Sequence, residues 1–143
     1  MNHEAPWVVV IPGGQWLERL VRCLSPLYRV AVVNPFETET TVIADKWIKS
    51  DILNVDDYIQ EVIGLNPAFV VTDQCDVAIE PLAKINRALG HPAHDEAVIN
   101  IFRDKFEMYR SACNLGLPMP ESRIAKTPAE IDATVVQNIV PSS

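Results

Sequence analysis

A chain of 143 residues has room for one domain, or for one domain and the start of a second. Its apolar fraction of 48% excludes a disordered chain, and a formal charge of -7 without any Lys/Arg cluster argues against nucleic acid or an anionic membrane as partner. Three widely separated cysteines, Cys23, Cys75 and Cys113, form neither a disulfide framework nor a zinc site and read as free thiols in a reducing cytoplasm.

The opening MNHEAPW lacks the basic-then-apolar order of a signal peptide, and no apolar run in the chain approaches a membrane span of about 18 residues. Trp7 to Ile11, WVVVI, is short, β-branched and bounded by Pro12-Gly13-Gly14, the pattern of a buried parallel strand. Trp16, Leu17, Leu20, Val21 and Leu24 then keep helical spacing, so strand, glycine turn and helix open a βαβ unit. Ligands of such sheets bind beyond the carboxyl ends of the strands. Gly13, Gly14 and Gln15 are therefore candidates for ligand contact, or else a tight turn that needs glycine torsions.

Arg29 to Val33 is a second strand, ended by Asn34-Pro35. The turn PGGQWL is not G-x-G-x-x-G, and Asn34 rather than an acid closes the second strand, which weighs against a dinucleotide site. The missing paired acids after strand one likewise weigh against a response-regulator receiver. Thr38 to Ala44 reads as a short helix or irregular segment, and Trp47 and Ile48 mark a short third strand. Asn54 caps the next helix with Asp57 at the capping-box position, Val55, Tyr58, Ile59, Val62 and Ile63 form its core face, and Gly64 closes it.

Ala68 to Val71 is a fourth strand that delivers Thr72-Asp73-Gln74-Cys75-Asp76 to the carboxyl edge of the sheet. Asp73 and Gln74 are candidates for substrate contact; helix capping by Asp73 or Asp76 is the competing role. The following helix carries Ile79, Leu82, Ala83 and Leu89 and stops at Gly90. His91 and His94 lack the spacing of a metal motif, and Asp95 caps a short helix through Ile101. Four alternations of strand and helix predict an α/β domain with an open, parallel, Rossmann-like sheet.

Asp104 then caps a helix from about Lys105 to Leu115, with Glu107 placed to reach back, Gly116 as the left-handed terminator and Pro118 beyond. Arg103 and Lys105 flank the positive end of this helix, where cations are unfavourable by about 0.3–1 kcal/mol. Two roles stand side by side: solvated surface cations, or a phosphate-binding helix start. Past Pro120 a strand is expected over Ser122 to Ala125, and Thr127-Pro128-Ala129-Glu130 opens a helix carrying Ile131, Val135 and Ile139.

The run Arg103-Asp104-Lys105, Met108, Gly116-Leu117-Pro118-x-Pro120 resembles the start of an ATP-grasp domain. The Gly13-Gly14-Gln15 turn, Val33-Asn34-Pro35, Ala44-Asp45, Ser50-Asp51 and Thr72-Asp73-Gln74 resemble the purine-pathway carboxylate–amine ligases of that family, in the right order. The resemblance implies a pre-ATP-grasp domain over residues 1–102 and the start of an ATP-grasp α+β domain over 103–143. It implies nucleotide phosphates at Lys105 and Arg103, and a small carboxylate or amine substrate held by Gly13, Gly14, Gln15, Asn34, Asp73 and Gln74. ATP and Mg2+ are implied as cofactors and a homodimer as the assembly. The family's later elements are missing here: a second nucleotide-binding lysine, a glycine-rich phosphate lid and a Glu/Glu/Asn set for magnesium. The chain is thus expected to be the amino-terminal portion of such a ligase and inactive alone. The alternative is a stand-alone, non-catalytic binding or regulatory module.

Overall fold

The computed structural model describes residues 4–122 of the chain. The expected strand running on from Ser122 and the expected helix from Thr127 to Ile139 lie outside the described residues. The chain divides into two compact units, Met1–Arg103 and Asp104–Ser143.

The first unit is built on strands β1 (Trp7–Val10), β2 (Arg29–Val33), β3 (Lys46–Ile48) and β4 (Phe69–Val71). They form one parallel sheet in the order β3-β2-β1-β4, with Val9 beside both Ala31 and Val70, and Val32 beside Trp47. Successive side chains of a strand point to opposite faces, so an unbroken apolar run must be covered on both. Val8, Val10, Val30 and Val32 pack on one face with Leu17 and Val21. Val9, Ile11, Ala31 and Val33 pack on the other with Val55, Tyr58, Val62 and Ile85.

A single 3-10 turn, Gln15–Leu17, leads into α1 (Glu18–Leu24), and α2 (Glu39–Ile43) follows β2. α3 (Val55–Leu65) connects β3 to β4, and α4 (Ile79–Ala88) and α5 (Glu96–Arg103) complete the unit. The predicted α/β architecture with an open parallel sheet is the observed one.

One open local expectation is decided and two change. Thr38 to Ala44 resolves as a capped helix: Thr38 Oγ1 accepts from the Thr41 N–H at 3.2 Å, and Thr41 Oγ1 accepts from the Thr38 N–H at 2.8 Å. This reciprocal box satisfies two backbone donors and makes a five-residue helix tenable. Asn54 does not cap α3 with its side chain, because its own carbonyl already accepts the Asp57 N–H at 3.0 Å. Gly64 does not close α3 either. It lies inside the helix, and Asn66 takes the left-handed terminating conformation at φ 47°, with Pro67 preventing extension.

The second unit contains α6 (Lys105–Asn114). Asp104 caps it, one carboxylate oxygen accepting from the N–H groups of Phe106 at 2.8 Å and Glu107 at 3.1 Å. Glu107 does not reach back; its carboxylate takes Arg110 at 3.0 Å one turn on. Gly116 at φ 72° ends the helix, its N–H reaching the Cys113 carbonyl and that of Leu117 reaching Ala112. Those two bonds are the paired closure that a glycine past the last turn permits.

Candidate functional site

In the order β3-β2-β1-β4, the chain first winds outward from β1 and then crosses back to its other side. The loop after β1 runs to the face covered by α1, and the loop after β4 runs to the face covered by α3 and α4. Adjacent strands whose loops leave in opposite directions open a crevice at their carboxyl ends, and such crevices bind ligands.

The β1 side of the crevice is held rigidly. The Ile11 N–H donates to Val71 carbonyl at 3.0 Å, the Ile11–Pro12 peptide is cis, and the Gly13 N–H donates to Val33 carbonyl at 2.8 Å. Thr38 Oγ1 donates to the Gly13 carbonyl at 2.6 Å and Thr40 Oγ1 to the Gly14 carbonyl at 2.8 Å. The two glycines are not equivalent. A Cβ on Gly13 would lie 2.0 Å from Val32 Cγ1 and 3.0 Å from Asn34 Cβ, so glycine there is a packing necessity. Gly14 has ordinary extended torsions and nothing within 4 Å of a would-be Cβ. Its Cα side is open, although its carbonyl also accepts from the Leu17 N–H at 3.0 Å, and Gln15 beside it is exposed.

Asn34 sits at the end of β2, 7% exposed. Its Nδ2 donates to the Phe36 carbonyl at 2.7 Å, and its own carbonyl accepts from Trp47 Nε1 at 2.8 Å. These bonds shape the turn into Thr38 and commit the carboxamide donor internally.

On the β4 side Asp73 and Gln74 are exposed, and Gln74 holds a left-handed backbone at φ 54°. Neither Asp73 nor Asp76 caps the following turn, whose cap position is Cys75 without a side-chain bond. The capping role weighed for these acids is therefore not the one they play. Thr72 Oγ1 is buried and has no hydrogen-bond partner among the described residues. An unpartnered buried hydroxyl costs about 1–3 kcal/mol, so it calls for a reason.

Arg103, at the end of α5, pairs its guanidinium with the Glu80 carboxylate of α4. It is therefore a cation with a carboxylate partner. Lys105 is exposed on the first turn of α6 in the other unit. Beside it, Asp104 already accepts two of the free N–H groups at that helix start, so the lysine ammonium rather than the backbone is what the helix offers an anion.

Gly13, Gly14, Gln15, Asn34, Asp73 and Gln74 thus share one carboxyl edge, while Arg103 and Lys105 belong to other elements. Sequence reasoning missed Thr38 and Thr40, which hold the glycine turn; the Thr38-x-x-Thr41 spacing was the signal available. A groove of about 650 Å3 between α1 and α2 is lined by Glu18, Arg22, Glu37 and Glu39, but its arginine is already paired to Glu18 at 2.7 Å. Among the described residues no group of three or more His, Cys, Asp or Glu is arranged to hold a metal, and no helix is long and apolar enough to cross a membrane.

No protein-family model matches the sequence, and no curated protein matches it. Solved structures do. Phosphoribosylglycinamide synthetase from Anaerococcus prevotii matches with TM-score 0.69 and 19% identity over 94% of this chain and 35% of that one. L-amino acid ligase from Bacillus licheniformis matches with TM-score 0.68 and 14% identity over 92% and 35%. N5-carboxyaminoimidazole ribonucleotide synthetase from Thermotoga maritima matches with TM-score 0.66 and 20% identity over 93% and 36%. The chain shares the α/β fold of these enzymes. It spans about a third of the length of these three structures.

Proposed function

We propose that this chain is the amino-terminal portion of an ATP-grasp ligase that joins a carboxylate to an amine. What carries the reading is that the matches to these enzymes cover 93% and 94% of the chain and that the glycine turn and the β4 loop meet at one crevice. In such a reaction the γ-phosphoryl group passes to a carboxylate oxygen and ADP leaves. The amine nitrogen then attacks the acyl carbon, phosphate departs with its C–O bond, and the amine gives up a proton.

In this reading residues 1–102 are the pre-ATP-grasp domain, whose crevice presents Gly13, Gly14, Gln15, Asn34, Asp73 and Gln74 to the acceptor. Gly14 leaves open space beside its Cα, Gln15, Asp73 and Gln74 offer exposed polar groups, and Asn34 shapes the turn. Residues 103–143 begin the ATP-grasp domain, and Lys105, with Arg103 near it in sequence, faces the nucleotide phosphates. Magnesium in this chemistry neutralises charge developing on the transferred phosphoryl group. The described residues do not fit a magnesium site, so none is assigned to it. A small-molecule substrate, a homodimer and a cytoplasmic location belong to the same reading.

The test is ADP release from ATP in the presence of amine and carboxylate panels. The chain alone releases none, whereas a protein extended along its reading frame does, and Lys105→Ala in that protein raises the KM for ATP. Turnover by the 143-residue chain alone would refute the proposal. The stand-alone binding module is favoured by one observation: the first unit covers both faces of its sheet by itself. Ligand binding at the crevice by the chain itself, with no ADP formed by the chain or by any extension of it, would establish that alternative.

A further inference from the structure

We propose that Thr40 of α2 is a positioning residue for the acceptor, acting through the backbone of the glycine turn; this rests on the ligase reading above. Among the described residues, the polar residues buried as a whole are Asn34, Thr40 and Thr41, and all three border that turn. Asn34 Cβ and Thr41 Cγ2 lie 3.0 and 3.2 Å from where a Gly13 Cβ would stand, and Thr40 Oγ1 donates to the Gly14 carbonyl at 2.8 Å.

The Thr40 bond is more than satisfaction of a buried group. The Gly14 carbonyl already accepts the Leu17 N–H at 3.0 Å, so it would not be orphaned without the threonine. A buried hydroxyl where a methyl would fit costs free energy unless it is bonded, and here the bond goes to an acceptor that has a partner already. What a second donor adds to a satisfied carbonyl is direction.

That direction carries to the crevice. In a planar trans peptide the C=O and the following N–H point opposite ways, and both peptides of the turn are trans. Thr38 holds the Gly13 carbonyl toward α2 at 2.6 Å, and Thr40 holds that of Gly14. The N–H groups of Gly14 and Gln15 therefore point away from α2, and neither has a partner among the described residues. α2 packs over β2 and β3, whereas the crevice opens on the other side of β1, toward β4. The turn so held keeps its carbonyls back and leaves two N–H donors for an oxygen atom of the acceptor. Thr38 also caps α2, so its loss disturbs the helix as well; Thr40 caps nothing, and its hydroxyl isolates the orienting role.

The experiment is steady-state ADP release by the protein extended along its reading frame, for wild type, Thr40→Val and Thr40→Ser. The probe is the amine and carboxylate pair of the panel that gives wild type its fastest release. Thr40→Val raises the KM for the acceptor about tenfold, the effect of one hydrogen bond, and leaves kcat and the KM for ATP within about twofold. Thr40→Ser, which keeps the hydroxyl, returns the acceptor KM to the wild-type value. An unchanged acceptor KM in Thr40→Val overturns the proposal and leaves the ligase reading standing. So do equal losses for acceptor and ATP, a fall in kcat alone, or a Thr40→Val protein that does not fold, each of which makes the hydroxyl structural. A Thr40→Ser protein as impaired as Thr40→Val overturns it too, because the hydroxyl is then not the cause. If wild type releases no ADP with any pair, the ligase reading fails and the proposal falls with it.

Discussion

Gly13 and Gly14 are neighbours with opposite reasons for being glycine. At Gly13 an added Cβ meets Val32 at 2.0 Å, and Val32 is a fully buried strand residue that cannot give way. Gly13→Ala is expected to lower stability by about 1–3 kcal/mol in urea unfolding, the usual penalty for overpacking a core. Gly14→Ala is expected to change it by less than about 0.5 kcal/mol, since the new methyl enters open space at permitted torsions. Tyr58 supplies a pH dependence. Burial, reinforced by the charge of Asp51, pushes its phenol well above the ordinary tyrosine range, while its hydroxyl donates to the Ile52 carbonyl at 2.8 Å. The folded chain therefore keeps its proton where the unfolded chain loses it, near pH 10. This contribution is fully present below about pH 10 and is lost as the pH rises further. Urea midpoints measured from pH 8 to 11 should fall more steeply for wild type than for Tyr58→Phe.

At the scale of elements, short helices stand on their ends. α2 has five residues and would not persist on propensity; its Thr38–Thr41 box and the Thr38 bond to Gly13 make it part of the glycine turn. Thr38→Val removes the cap and the bond to the turn together, and a loss of about 1–2 kcal/mol is expected in denaturant unfolding. The Glu80–Arg103 pair that joins α4 to α5 is exposed on both sides, so Glu80→Gln should cost less than about 1 kcal/mol. α3 ends where Asn66 turns left-handed, and Asn66→Gly should leave stability unchanged or slightly raised, because glycine adopts φ 47° without a Cβ penalty.

For the molecule as a whole, the apolar runs WVVV, RVAVV and FVV made a two-sided parallel sheet legible from the chain alone. A strand buried on both faces needs continuous β-branched residues, and little else in a protein does. The capped start and glycine stop of α6 were legible for a similar reason, since their chemistry is complete within a few residues. The side of β1 on which β4 lies was not local. It depends on which crossover buries α3 and α4 against the face left uncovered by α1, and that choice creates the crevice. Nor was the difference between two adjacent glycines legible, because it comes from Val32, nineteen positions away from Gly13 and brought beside it by strand pairing. Short-range chemistry thus determined the elements and the ends of α6. Long-range packing alone decided which polar groups were satisfied inside the fold and which, like the Thr72 hydroxyl, were left over.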